Sequence, residues 1–139
     1  MTLAEKQQRL IDDFLIIPDP QERLAAVVAH ATRAPALDPA ERIDANHVPG
    51  CVSTVWLVVE LDPVTRRLRV RADAESPLVK GLVALICELH DDTDPADAAT
   101  FQPELLEKLH LAQNLSPTRR AGLLAVQKRI KEKAERLKG

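Results

Sequence analysis

The sequence predicts an α+β protein, a small antiparallel sheet of two to three strands packed against several helices, in one domain over residues 1–139. Three observations carry this expectation. Arg67-Leu68-Arg69-Val70-Arg71-Ala72 alternates strictly between cationic and apolar residues, the period of a strand with one buried face. The apolar stretch Val55 to Leu61 precedes it across Asp62-Pro63-Val64-Thr65, so the two strands should form a hairpin. On both sides of the hairpin, apolar residues recur at the three- and four-residue spacing of helices, and strands segregated from helices in this way mark an α+β fold.

A chain of 139 residues is long enough to bury roughly two-thirds of its unfolded surface without disulfides or metal. Apolar residues make up 45% of it, yet its aromatics are only Phe14, Trp56 and Phe101, so the core must be built from Leu, Val, Ile and Ala. The net charge of −2 and the lack of a basic cluster argue against nucleic acid as a partner. Met1 to Arg9 lacks the basic-then-apolar order of a signal peptide, and no apolar run is long enough to span a bilayer. With Cys51 and Cys87 as its cysteines, the chain suits a soluble, reducing, cytoplasmic setting in which a free thiol persists. A Cys51–Cys87 disulfide is the alternative, and it would need an oxidising location.

Helix starts are signposted by polar caps. Thr2-x-x-Glu5 is a capping box, and Asp19-Pro20, Ser76-Pro77, Asp94-Pro95 and Ser116-Pro117 each place a cap before a proline whose missing N–H costs nothing at the first helical position. The first helix is predicted from Leu3 to Phe14, with Leu3, Leu10, Ile11 and Phe14 on one face, and Ile16-Ile17-Pro18 ends it. The second runs from Pro20 to near Ala34 and carries Leu24, Val27, Val28 and Ala31. Pro35 to His47 reads as a long loop with a single turn after Asp38-Pro39, and such loops are frequently functional. In the hairpin, Leu68, Val70 and Ala72 should face the core and Arg67, Arg69 and Arg71 solvent, where the arginines either meet an acidic partner or blunt a sheet edge. The Pro77–His90 helix is apolar over so much of its surface that it must be largely buried, with Cys87 as a small apolar residue within it. Short helices at Pro95–Ala99 and Pro103–Leu109 follow. The last helix starts at Pro117, with Leu123, Val126, Ile130, Ala134 and Leu137 in one stripe and a basic end that suits its dipole.

The chemistry-bearing stretch is His47-Val48-Pro49-Gly50-Cys51-Val52-Ser53-Thr54-Val55-Trp56. Pro49 and Gly50 shape a tight turn that places Cys51 at the mouth of the first strand. Phosphate-binding and dinucleotide-binding glycine motifs are absent, as is a helical His pair. The scattered His30, His47, His90 and His110 do not have structural-zinc spacing, and one loop cysteine cannot hold an iron–sulfur cluster alone. No metal and no cofactor are therefore expected. On the residues themselves three readings of Cys51 stay open. It is a structural loop cysteine, the nucleophile of a cysteine hydrolase with His47 as base, or a carrier that takes sulfur from another protein's persulfide. The carrier needs shelter for its product, which the apolar neighbours Val48, Val52 and Val55 would supply if Cys51 is partly buried.

V-P-G-C-x-S-x-V-W followed by L-V-V-E-L resembles the SufE family of sulfur-acceptor proteins. The resemblance continues through Arg71-Ala72-Asp73-Ala74-Glu75-Ser76-Pro77-Leu78-Val79-Lys80-Gly81-Leu82, the Phe101-Gln102-Pro103 turn, and His110-Leu111 to Leu115-Ser116-Pro117-Thr118-Arg119. One departure stands out, because the family usually has glutamine where this chain has Val52 and Thr54. The resemblance implies a SufE/IscU-like fold and a protein that takes persulfide sulfur from a PLP-dependent cysteine desulfurase, SufS-like or CsdA-like, stimulates it, and passes the sulfur to an iron–sulfur assembly scaffold. The pyridoxal phosphate belongs to the partner. Cys51 matches the acceptor cysteine, and Arg119 matches an arginine that supports structure or positions the partner. His47, Gly50, Ser53, Trp56, Glu75 and Lys80 are candidates for loop support or docking. An adaptor that docks without chemistry is a further alternative, and the chain is expected as a monomer or homodimer.

Overall fold

Every helix of two turns or more begins at the cap the sequence supplies. In the computed structural model, which describes residues 1–34, 37–50, 54–113 and 115–139, the Thr2 hydroxyl accepts the Glu5 N–H at 3.1 Å at the start of α1 (Leu3–Leu15). The Glu5 carboxylate in turn accepts the Thr2 N–H at 3.3 Å. The helices α2 (Pro20–Ala31), α3 (Pro77–His90), α4 (Pro95–Ala98) and α6 (Pro117–Leu137) start at a proline behind Asp19, Ser76, Asp94 and Ser116. Each of those side chains accepts a first-turn N–H.

Elsewhere several expected boundaries moved. The helix expected over Pro103–Leu109 shrinks to α5 (Leu105–Lys108); Glu104, at φ −116° and ψ 5°, is outside helix geometry and donates its N–H to Gln7 of α1 at 2.7 Å. The second helix stops at Ala31, short of Ala34. The loop after it holds two 3₁₀ turns, Pro39–Glu41 and Asp44–Asn46, in place of the single turn expected.

Strands β1 (Val55–Leu61) and β2 (Leu68–Ala74) pair antiparallel, from Val55 opposite Ala74 to Leu61 opposite Leu68. Val55, Leu57, Val59, Leu68 and Val70 are buried and Arg69 is exposed, as the alternation requires, and α3 packs on β2. The second strand starts one residue later than the pattern suggested and ends beyond Ala72, which is itself half-buried. The turn closes through the Asp62 carboxylate, which accepts the Val64 and Thr65 N–H groups at 2.8 and 3.1 Å. The outer edge of β2 is covered by the turn after α3. Leu68 exchanges backbone bonds with Asp92 and Thr93 at 2.8 and 2.9 Å, and Asp91 accepts the Val70 N–H at 2.9 Å.

The arginine row is not a free patch. Arg67 pairs with Asp92 at 2.9 Å and Arg69 with Asp62 at 3.1 Å. Arg71 forms a fork on Glu41 at 2.6 and 2.8 Å and reaches Glu60 at 3.2 Å. Its guanidinium pK is raised further, chiefly by the Glu41 hydrogen bonds. Each arginine of the row is satisfied inside the chain.

The core groups both strands, α3 and the inner stripe Leu123, Val126, Ile130 and Ala134 of α6. Helices α2 and α3 approach at Gly81, where a Cβ would stand 2.9 Å from Val28 Cγ2 and 3.0 Å from its Cα, so only glycine allows this packing distance. Arg23, 4% exposed, spends its guanidinium on carbonyls, Leu109 at 2.7 Å and Ile17 at 2.9 and 3.1 Å, and so ties the α1–α2 turn to the end of α5. Among the described residues no helix is long and apolar enough to cross a membrane.

Candidate functional site

The hairpin has an inner face against α3 and an outer face made by Trp56, Val58 and Glu60 opposite Asp73, Arg71 and Arg69. The loop from Pro39 to Gly50 folds back along that outer side. Several contacts hold it there. Glu41 grips Arg71, and Arg42 pairs with Asp73 while its guanidinium carbon lies 5.8 Å from the Trp56 ring centroid. His47 then forms a β-bridge with Trp56, and the Val48 N–H donates to the Val55 carbonyl at 2.9 Å. Both ends of the connection 49–54 are thereby fixed on the start of β1.

Asp73 is the anchor of this arrangement. Its side chain is 4% exposed, accepts the Ala74 N–H at 2.8 Å, and faces Arg42 and, at 3.5 Å, Lys80 Nζ from the first turn of α3. Burial alone would push its carboxyl pK up. The Ala74 N–H, Arg42 and Lys80 outweigh that and hold it below the usual carboxylate range. Glu41 is likewise held low, first by its hydrogen bonds from Arg71. The loop is thus clamped by two ionised carboxylates, one almost sealed from water.

Cys51, Val52 and Ser53 lie outside the described residues, so the expectations of a sheltered Cys51 thiol and a supporting Ser53 have no structural account. Their neighbours Val48 and Val55 are 1% and 0% exposed, so the connection starts and returns in the core. Gly50, at φ +92°, is in the left-handed region that favours glycine, and a Cβ there would sit 3.7 Å from Ala125 Cβ, so Gly50 lies against α6. Trp56 and Lys80 meet around Asp73, and His47 joins them through its backbone pairing with Trp56. The exposed Glu75 borders the group through its N–H, which bonds to the Thr54 carbonyl at 3.1 Å. Arg119 stands apart. It is exposed in the first turn of α6, its N–H is bound to Ser116 Oγ at 3.2 Å, and its guanidinium makes no bond among the described residues. Cys87 is a buried free thiol whose pK burial raises well above the ordinary cysteine value, with Asp91 adding to the effect, which disfavours the thiolate.

The sequence reading missed Asp73, Arg42 and Glu41. The signal for Asp73 was present, since aspartate is disfavoured inside strands and this one extends the alternation of β2 at an outward position. Arg42 and Glu41 lie in a loop without periodicity and gave none. No group of three or more His, Cys, Asp or Glu among the described residues is placed to hold a metal ion.

Comparison with known proteins agrees with this architecture. Over 130 residues the chain is 32% identical to an uncharacterized SufE-like protein of Rhizobium etli, covering 91% of this chain and 88% of that one. The solution structure of a hypothetical protein from Thermus thermophilus shares the fold, with a TM-score of 0.77 over 95% of each chain at 18% identity. Residues 8–134 match the family model described as SufE, Fe-S metabolism associated domain, and the chain therefore belongs to the SufE family and to iron–sulfur metabolism.

Proposed function

We propose that this protein is a sulfur acceptor and carrier in which Cys51 takes persulfide sulfur from a PLP-dependent cysteine desulfurase, SufS-like or CsdA-like, and hands it to an iron–sulfur assembly scaffold. The observation that carries the reading is the pinning of both flanks of Cys51. Val48 and Trp56 are locked to the hairpin, and the loop before them is clamped by Asp73 and Arg71. Cys51 falls in a short connection with both ends tied to the hairpin, and a nucleophile on so short a tether meets another protein at low entropic cost. Membership of the SufE family supports the same chemistry.

In the transfer, the Cys51 thiolate attacks the outer sulfur of the desulfurase persulfide. A bond forms between Cys51 Sγ and that sulfur as the bond to the desulfurase cysteine breaks, and the departing thiolate takes up a proton. The sulfane sulfur keeps its oxidation state, so no oxidant or reductant enters. Clearing the persulfide returns the desulfurase to its starting thiol, which is how the carrier stimulates turnover. An acceptor thiol on the scaffold repeats the displacement. The chain itself needs no cofactor, works in a reducing cytoplasm, and acts as a monomer or homodimer of one domain.

The test is mass spectrometry of the protein after incubation with a desulfurase and cysteine. One added sulfur on Cys51 is expected, lost in Cys51→Ser together with stimulation, while Cys87→Ala keeps both. Full stimulation by Cys51→Ser would instead mean an adaptor without chemistry, and a hydrolase would acquire no sulfur at all.

A further inference from the structure

A second surface lies on the other flank of α6 from the Cys51 connection. Ala125 faces Gly50, whereas Leu124, one residue earlier, is 64% exposed and borders a groove of about 500 Å³ between α5 and α6. Pro103, Leu106 and Leu123 make its floor. Past Leu124 and Gln127 it runs on into a depression of about 240 Å³ bordered by Lys128 and Lys131.

The charge of α6 is one-sided, although the groove itself is lined by Glu107 as well as Arg120, and the depression beyond it by Lys128 and Lys131. The helix carries seven Lys and Arg against two Glu within Pro117–Leu137, on a chain whose net charge is −2. The side chains of Arg120, Lys128 and Lys131 make no hydrogen bond or ion pair among the described residues, although the β2 arginines all do. Arg120 also breaks a local rule, since the first turn of α6 holds no acid and a cation there opposes the helix dipole. Three cations whose side chains have no partner among the described residues, beside an exposed leucine, complement an anionic partner.

We propose that this groove receives an amphipathic α-helix with an acidic face, contributed by a protein partner. At about 1.5 Å rise per residue, Arg120 and Lys131 are about 16 Å apart along α6, the length of three turns. A helix laid alongside would set apolar residues spaced i, i+3, i+4 and i+7 onto Leu106, Leu123 and Leu124, with its carboxylates beside the three cations. Ala125 and not Leu124 faces Gly50, so the occupant would sit on a different side of α6 from Gly50. The surface is thus a docking site separate from sulfur uptake.

The test titrates the isotopically labelled protein with a synthetic three-turn Leu/Glu amphipathic peptide, its Leu/Lys counterpart, a scrambled Leu/Glu peptide, and vesicles of anionic phospholipid. Expected are amide shifts centred on Leu106, Leu123, Leu124 and Gln127 with the Leu/Glu peptide alone. Binding should weaken at least tenfold in Leu124→Asp and in the Arg120→Glu, Lys131→Glu double variant, and also as salt rises. These positions are on the surface, and unchanged thermal unfolding of the variants will confirm that the fold survives. Equal binding of the Leu/Lys or scrambled peptide overturns the proposal, as does a peptide that fails to bind at about 1 mM. Vesicles that shift these residues while the peptide does not would reassign the surface to a membrane.

Discussion

Replacing Asp73 with asparagine removes one charge from the clamp while keeping its size and the acceptor for the Ala74 N–H. The carboxylate is nearly sealed, but Arg42 and Lys80 are 41% and 32% exposed, so both cations regain water when released. That discounts the 3–5 kcal/mol typical of breaking a fully buried pair to about 1–2 kcal/mol here. The loss falls on the loop, because Arg42 is one of the points that hold it over the sheet. Since about 1.4 kcal/mol is a factor of ten, the loop should open about tenfold more often. Hydrogen exchange of the Val48 amide, which donates to Val55 across the base of the connection, reads this opening directly. Its exchange rate should rise about tenfold in Asp73→Asn, as should alkylation of Cys51. Arg42→Ala should have a similar effect, and the double variant should add little. Unchanged Val48 exchange beside a lower unfolding temperature would refute the reasoning, since Asp73 would then support the core and not the loop.

Gly50→Ala places an L side chain at φ +92° without a clash at Ala125, so it should cost about 1–2 kcal/mol by backbone strain, read as faster Val48 exchange or a lower unfolding midpoint. Arg23→Leu strands the Leu109 and Ile17 carbonyls and should destabilise by about 2–4 kcal/mol in denaturant unfolding, whereas an effect below about 0.5 kcal/mol would mean water replaces the guanidinium. His90 is buried, its Nδ1–H donating to the Ile86 carbonyl at 2.8 Å; burial lowers its pK, the Ile86 bond opposes this, and Lys6 adds to it. The unfolded chain therefore binds the extra proton, so this contribution is complete above about pH 6.5 and lost as pH falls below it; unfolding at pH 7 and pH 5 should show a smaller drop for His90→Asn than for the parent.

Much of the local structure was legible in the amino-acid order. Ser76-Pro77 opened α3 where a cap and a preset φ coincide, Asp62-Pro63 turned the hairpin, and the alternation of Leu68 and Val70 chose the buried face. These signals act within a few residues, through steric limits and hydrogen bonds that need no distant partner. The motif around Cys51 carried the family in the same way. What the tertiary structure decided depends on groups far apart in sequence. Asp73 becomes an anchor only because Arg42, 31 residues earlier, folds over Trp56 to meet it, and the start of α5 is tied to α1 only because Gln7, 97 residues away, accepts the Glu104 N–H. A charge in a strand and a polar loop look alike whether they end in water or in each other. Their pairing is settled by desolvation once the sheet and helices have brought them together, and no pattern along the chain records that energy.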